Sequence, residues 1–404
     1  MATSKIIVAL EIGTSKTCMV VGEAHPDGTS SIIGLGEVPS QGIVAGEIAN
    51  HNYACLNLSD AWQLAQDHAC ADIQSVYLSV TGDHIRGQSH SAIYKLPEDE
   101  VTIEEEHVNL AYRQVEHKEL PPDRVIINQE MGNFCVDNTR IYYNPVGVHG
   151  NSLEITSHTI HGDKKRLQNA LLCVRQVPLE VESMVFAPLA TAHMVFGRKE
   201  REAGALLIDI GAGTTDYICY FQGNIVASGC LPYGGRTINK DIIKNNRTPM
   251  TEAAAESLKI NQGHAFGDED DTSMAVNRGD DGTLYSIARG QLNYIIRERM
   301  TAILQEVKDA IPPYMWRQRD MAVYITGGTS LMLGLDRLAQ SIFKVRVYQP
   351  AHPGVGKDYT YLADPRYCTT IGLIHYAMKK EEEYAEPEKT GLLQRFLNLF
   401  RKKK

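Results

Sequence analysis

No C-x-x-C pair occurs in this chain of 404 residues, although it holds eight cysteines: Cys18, Cys55, Cys70, Cys135, Cys173, Cys219, Cys230 and Cys368. Scattered thiols without paired spacing argue against a zinc centre or a disulfide framework, and the expectation is reduced, mostly buried cytosolic thiols. Long apolar runs are missing as well. No segment reaches the roughly 18 apolar residues of a transmembrane helix, and the run before Glu11 is too short for a signal peptide, so no part is expected to cross a membrane. Basic charge is scarce except at one end. The net charge is −9, yet the last fourteen residues, GLLQRFLNLFRKKK, hold five basic residues and no acid, which leaves −14 on the rest. An acidic body is a poor partner for phosphate backbones, so no nucleic acid is expected, and the basic end reads as a separate device.

What is present is an ordinary globular composition, 43% hydrophobic and 22% charged, at a length that favours two or more lobes. One pattern recurs. KIIVALEIGTSKTCMVVGE (5–23) and ALLIDIGAGTTDYICYFQG (205–223) each read as an apolar strand, an acid, Ile-Gly, a small or hydroxyl turn and a second apolar strand. Both are β-hairpins by pattern, and the pair suggests two lobes related by duplication. A third glycine turn follows a strand in AVYITGGTSLMLGLDRLAQSIF (322–343) and opens a helical pattern.

A nucleotide accounts for all three. Glycine lets backbone N–H groups approach phosphate oxygens, and successive N–H groups in a turn form an anion nest. Thr14, Ser15, Thr214 and Thr215 can add hydroxyls and Lys16 a point charge. Carboxylates beside phosphates repel them unless a divalent cation intervenes, so Glu11, Asp209 and Asp216 fit as acceptors for Mg²⁺ and its waters.

The triplet LEIGT, IDIGAGTTD and ITGGT resembles the two phosphate motifs and the adenosine motif of the actin, Hsp70 and sugar-kinase superfamily. More narrowly, IIGLGEVPSQGIVAGEI, SVYLSVTGDHI, NPVGVHG, VESMVFAPLATA, LPYGG, AAESLKI and TTIGLIHYA fall in the order of the FtsA family of bacterial division proteins, over essentially the whole chain. The resemblance implies an α/β, actin-like, two-lobed ATPase fold with an FtsA-type inserted subdomain. Residues 1–84 and 163–203 would form the first lobe, with 366–379 packing back on it, and 85–162 the insert. Residues 204–236 and 314–365 would form the second lobe's core and 237–313 its outer subdomain, followed by a linker at 380–390 and an amphipathic helix at 391–404.

Carried over by position, the resemblance puts Glu11, Gly13, Thr14, Ser15 and Lys16 in the first phosphate loop. It puts Gly211, Gly213, Thr214, Thr215 and Asp216 in the second, with Asp209 as its metal-side acid. Gly234 and Gly235 would approach the phosphates from the second lobe, Glu256 and Lys259 would contact ribose and base, and Gly327, Gly328 and Thr329 would cradle adenosine. For Glu256 and Lys259 the competing reading is a plain surface ion pair at i,i+3. Position 11 is Glu where actins and kinases usually hold Asp, and no residue presents itself for orienting an attacking water. ATP binding is therefore expected, with turnover weak or regulatory at most.

In the insert, VTIEEEHVNLAYRQVEH reads as a helix, and DRVIINQEMGNFCVD and LEITSHTIHG read as strands. His158 and His161 have no acid or cysteine grouped beside them, so a strand is favoured over a metal site. By resemblance the insert would contact a neighbouring subunit in a filament and other division proteins. In the outer subdomain, GDEDDTSMAVNRGDDG lacks the EF-hand order and reads as a solvated acidic loop before the helix SIARGQLNYIIRERMTAILQEVKDAI. That helix carries Arg297 and Arg299 where FtsA meets the C-terminal peptide of FtsZ, although this chain has R-E-R where the family commonly has E-P-R.

KKEEEYAEPEKT (379–390) reads as a charged linker containing Pro387. Beyond it Leu392, Leu393, Phe396, Leu397, Leu399 and Phe400 recur at helical offsets, opposed by Gln394, Arg395, Asn398 and Arg401, with Lys402 next in line. A bulky apolar face, a cationic polar face and too short a length to span describe a helix lying in an anionic membrane surface. The competing readings are docking on the protein itself or on a partner. The resulting expectation is a peripheral protein on the cytoplasmic side of the bacterial inner membrane at the division site, self-associating and tethering FtsZ. The rivals are a soluble pilus-assembly or chaperone-type adaptor, which gives no reason for the tail, and a sugar-kinase-type phosphotransferase, whose general-base Asp is not apparent.

Overall fold

A computed structural model describes residues 5–97, 101–116, 120–246, 249–268, 271–279, 282–350 and 363–385. The hairpins expected from the repeated motif are both present. Lys5–Ile12 pairs antiparallel with Lys16–Ala24, and Ala205–Ile210 with Thr215–Phe221. Each contributes consecutive buried apolar residues, as central strands covered on both faces require.

Around the first hairpin a five-stranded sheet runs in the order Glu180–Phe186, Ser75–Val80, Lys5–Ile12, Lys16–Ala24, Ser30–Pro39. Helix His51–Ala69 covers its edge, started by the Asn50 side chain, which accepts the Tyr53 N–H. Gly36 admits that helix, because a side chain there would run into the Ala61 carbonyl. Helix Cys368–Ala385 returns from the far end of the chain to pack on strand Lys5–Ile12 and helix Ala187–Val195. At the crossing a Cβ on Gly372 would stand 2.5 Å from the Ala190 carbonyl oxygen.

The second hairpin sits in a nine-stranded sheet. Five of its strands, Asn224–Leu231, Thr215–Phe221, Ala205–Ile210, Ala322–Thr326 and Arg346–Tyr348, belong around that hairpin. The other four, Arg140–Tyr142, Arg124–Val136, Ser152–Asp163 and Arg86–Lys95, come from the inserted segment. The two groups meet at one residue pair, Gly229 opposite Arg86. His158 fastens the junction: its ring lies 2.6 Å from the Ser89 hydroxyl and 2.8 Å from that of Ser228. Burial holds its pKa down to about 4, so the imidazole is neutral at ordinary pH. His161 is hydrogen-bonded by the Arg124 guanidinium at 2.5 Å. Both histidines therefore lie in a strand with non-metal partners.

Three apolar cores result. One lies beneath the five-stranded sheet, one beneath the second hairpin and its helices, and a small one, built on Leu96, Ile103, Phe134, Leu153 and Ile155, inside the insert under helix Glu105–Glu116. In the outer subdomain helix Arg289–Ala310 buries Leu292, Ile296, Met300, Ile303 and Val307, one face at helical spacing. Among the described residues no helix is long and apolar enough to cross a membrane.

Three expectations need correcting. The acidic segment 267–282 is not all loop, because Met274–Arg278 forms a strand against Leu284–Ala288, with Ala275 fully buried in the hairpin face. For the same reason the following helix starts at Arg289 rather than Ser286. The expected linker begins as helix: Cys368–Ala385 continues through a Lys/Glu-rich stretch with high helix propensity. Lys5 pairs with Glu381 at 2.6 Å and Lys380 with Glu130 at 3.9 Å along it. Pro387 and the amphipathic segment 391–404 lie outside the described residues.

Candidate functional site

The two hairpin turns are built alike. The Gly13 N–H donates to the Lys16 carbonyl and the Gly211 N–H to the Thr214 carbonyl, both at 2.9 Å. They face one another across a cleft of about 520 Å³, a volume suited to a cofactor-sized ligand. The approach is tight, since a Cβ on Gly213 would stand 2.9 Å from Thr14 Cβ. Thr14 Oγ1 in turn accepts the Gly46 N–H at 2.9 Å.

Three carboxylates line the floor. Asp209 and Asp216 are direct partners in the hairpin register, whereas the residue opposite Glu11 is Cys18. The Thr369 hydroxyl donates to Asp209 at 2.9 Å. Asp216 accepts from Thr81 at 2.5 Å and from Thr214 at 3.1 Å. Glu11 Oε2 is buried with no hydrogen-bond partner. Burial lifts all three acids: Glu11 to about 7, against the pull of Lys16, and Asp209 to about 7, with repulsion from Asp216 adding to it. Asp216 rises to about 6, restrained by its threonine and cysteine hydrogen bonds. A site that keeps an orphaned carboxylate oxygen and two more acids near their titration points at neutral pH suits a cation. Among the described residues no three His, Cys, Asp or Glu side chains are grouped tightly enough to hold one directly. Contact through water is what such a donor set accommodates.

The remaining expected residues mostly converge on this cleft, whose wall includes Ser15, Lys16, Gly235, Glu256, Lys259, Gly328 and Thr329. Gly327, with φ +84°, turns its backbone tightly over Asp209 and the Ile210 carbonyl. Thr329 Oγ1 donates to the Gly211 carbonyl at 3.0 Å. Lys259 is buried and donates to Glu256 at 2.6 Å and to the Gly235 carbonyl at 3.1 Å. The i,i+3 ion pair therefore exists, but its lysine is a wall of the cleft and not a surface charge. Lys16 Nζ is 3.4 Å from Glu37 and 4.0 Å from the centre of the Tyr367 ring.

Two expected contributors turn away. Thr215 is the first residue of its strand, and strand alternation sends its hydroxyl to the Tyr233 carbonyl at 2.8 Å, outside the cleft wall. Gly234 is not in the wall either. It is there for close approach, because a Cβ would sit 2.5 Å from the Gly211 carbonyl oxygen while the next two N–H groups donate to the Gly211 and Ala212 carbonyls. In the outer subdomain Arg299 is ion-paired with Asp241 at 2.6 Å, and the Arg297 guanidinium lies 5.5 Å from the Phe266 ring centre.

Sequence reasoning overlooked Thr81, Thr369, His84, Glu47 and Arg166, all in the cleft wall. The first four lie in the family-like stretches SVTGDHI, TTIGLIHYA and GIVAGEI, which were a signal of sorts. Arg166 had none: Asp163 caps helix Lys164–Val174 by accepting the Arg166 N–H, and the guanidinium then reaches Glu47 and, at 2.6 Å, Asp83.

Two lobes closing on paired glycine turns and a carboxylate floor define an actin-like protein, and solved structures agree. The fold is similar to that in a PilM–PilN type IV pilus biogenesis complex, with TM-score 0.62, 16% identity, and 92% of this chain and 98% of that one covered. It is also similar to MreB5 of Spiroplasma citri bound to ADP, with TM-score 0.55, 14% identity, and 95% and 99% covered. The family model of cell division protein FtsA matches residues 206–372, and that of the SHS2 domain inserted in FtsA matches 82–161. Cell division protein FtsA of Neisseria meningitidis is 30% identical over 97% of this chain and 94% of its own. That of Escherichia coli is 31% identical over 92% and 90%. The chain belongs to the FtsA family of cell division proteins.

Proposed function

We propose that the cleft binds ATP with Mg²⁺, and that the bound nucleotide holds the lobes closed and favours head-to-tail self-association on the cytoplasmic face of the inner membrane. The observation that carries this reading is the pair of like-built turns facing each other over three acids whose pKa values burial raises, one with an unpartnered oxygen. Gly13, Ser15, Gly211 and Gly213 supply backbone for phosphates, Gly327, Gly328 and Thr329 the adenosine side, and Glu256 with Lys259 the ribose side. Glu11, Asp209 and Asp216 are the acids for the cation and its waters, and the metal's contribution is to neutralise phosphate charge beside them. Hydrolysis has a regulatory role at most.

In the same reading the segment 391–404 lies in the anionic membrane surface through Leu392, Leu393, Phe396, Leu397, Leu399 and Phe400, with Arg395, Arg401 and Lys402 toward headgroups. A single helix of this kind binds reversibly, so polymerisation strengthens attachment through avidity. The outer subdomain, around Arg297 and Arg299, takes the C-terminal peptide of FtsZ, and the insert meets a neighbouring subunit and later division proteins. Membership in a division-protein family and the composition of the tail support these assignments. The test is ATP-dependent cosedimentation with anionic liposomes, comparing the full chain with one ending at Glu388. The expected result is pelleting of the full chain only, with equal ATP binding by both. Equal pelleting, or none, overturns the tether and leaves a soluble actin-like adaptor.

A further inference from the structure

Helices His51–Ala69 and Lys164–Val174 lie side by side, and they bring together two cysteines 118 positions apart in the chain. Cys55 Sγ is 3.5 Å from Cys173 Sγ. One turn before Cys55, the His51 ring nitrogen Nδ1 is 3.3 Å from the same sulfur. Cys55 is half-buried and so open to a small oxidant, whereas Cys173 is fully buried. All eight cysteines are free in this structure.

We propose that Cys55 and Cys173 are a redox modification site, at which a peroxide joins the two helices through an intramolecular disulfide. His51 accepts the Cys55 thiol proton, and the resulting thiolate is the nucleophile. Its sulfur attacks a peroxide oxygen. An S–O bond forms, the O–O bond breaks, and the departing hydroxide takes a proton to become water, leaving Cys55 as a sulfenic acid. The Cys173 sulfur then attacks the Cys55 sulfur. The S–S bond forms as the S–O bond breaks, and the hydroxyl leaves with the Cys173 proton as a second water. In sum two thiols lose two electrons and hydrogen peroxide is reduced to two waters. A disulfide bond is about 2.05 Å long, so the two sulfurs have to close from 3.5 Å across helices already in contact. Environment sets the order of attack: burial pushes the Cys173 thiol up, so Cys55, beside His51, initiates, and Cys173 gives its proton to the departing hydroxide as its sulfur attacks. In a reducing compartment such a link is transient, as redox-sensing disulfides are. Helix Lys164–Val174 also carries Arg166 and Leu167 in the cleft wall, so the link restrains one side of the cleft.

The test is hydrogen peroxide treatment of the full, folded chain, followed by thiol alkylation and peptide mass spectrometry. The expected product is a Cys55–Cys173 crosslinked peptide pair, reversed by dithiothreitol, with the exposed Cys70 still alkylated. Cys173→Ala leaves a sulfenic acid at Cys55 that a dimedone-type probe captures, and His51→Ala slows crosslinking several-fold. Recovery of both thiols after peroxide, oxidation of Cys70 ahead of the pair, or a crosslink that forms only in denaturant overturns the proposal. The wild-type crosslink map needs no variant to fold, so the result stands whether or not Cys173→Ala is stable.

Discussion

The two hairpins share a backbone and differ in what hangs from it. Gly13 and Gly211 close the same four-residue turn with the same hydrogen bond. At the position facing the acid, however, the first hairpin has Cys18 and the second Asp216. The first turn holds Thr14, Ser15 and Lys16 where the second holds Ala212, Gly213 and Thr214. Duplication thus supplies two anion nests, and the side chains have divided the work. The first lobe offers hydroxyls, a lysine and one acid with an unpartnered oxygen, while the second offers glycine backbone, the Thr214 hydroxyl and two acids held by threonines. Two of those threonines belong to the first lobe, Thr81 at the end of one of its strands and Thr369 on the helix packed against it, so the bonds to Asp216 at 2.5 Å and to Asp209 at 2.9 Å both cross between the lobes.

The sharpest break of this comparison is at equivalent turn positions. Gly213→Ala places a methyl against Thr14 and is expected to cost about 1–3 kcal/mol of stability and most of the nucleotide affinity. Ser15→Ala, its first-turn counterpart, should stay within about 1 kcal/mol. Urea unfolding and calorimetric ATP titration read both, and equal losses would mean the turns are interchangeable.

Next in size is the pH response of the nucleotide-free protein. Glu11, Asp209 and Asp216 have folded pKa values above their ordinary ones, so the folded state holds more protons than the unfolded one between about 4 and about 7. Stability therefore falls as pH rises through that window, and the burial cost is fully present above it. Urea midpoints should fall between pH 6.5 and pH 8, above the range in which buried His158, held down to about 4, pulls the other way. A flat profile would contradict the buried acids.

Glu11→Gln removes the orphaned charge. It should stabilise the nucleotide-free protein at pH 8 by on the order of 1 kcal/mol, flatten the pH slope and weaken the Mg²⁺ dependence of nucleotide binding. Asp216→Asn should not stabilise, because Thr81 and Thr214 already donate to that carboxylate. Thermal melts of the two variants side by side decide whether the acids differ as their partners do.

The smallest effect concerns the two threonines. Thr81→Val and Thr369→Val each remove one hydroxyl donor from an acid, about 1 kcal/mol apiece. Both should also loosen lobe closure, seen as faster hydrogen exchange in the 13–16 turn. An exchange rate unchanged from the parent chain in either variant would deny that threonine its bridging part.

Much of the fold was legible because it is local. The hairpins follow from apolar strands flanking glycine turns, and most of helix Arg289–Ala310 lies within the stretch read as a helix. Errors came where local composition pointed one way and pairing another. Met274–Arg278 looked like part of an acidic loop until Leu284–Ala288 paired with it, and the charged stretch after Lys379 looked like a linker but continues a helix anchored by Lys5 and Glu130. Thr215 shows the limit within a motif, since composition offers a hydroxyl but strand alternation decides which way it points.

The sequence by itself determined the repeated turn chemistry, the position of the acids beside it and the separate character of the basic tail, because each is written in neighbouring residues. Only the tertiary structure decided that Thr81, Thr369 and Arg166 join the cleft, that Glu11 keeps an oxygen without a partner, and that Cys55 meets Cys173. Those relations span tens to hundreds of positions. They depend on how helices and sheets pack, and packing distances are not encoded in any short stretch of chain.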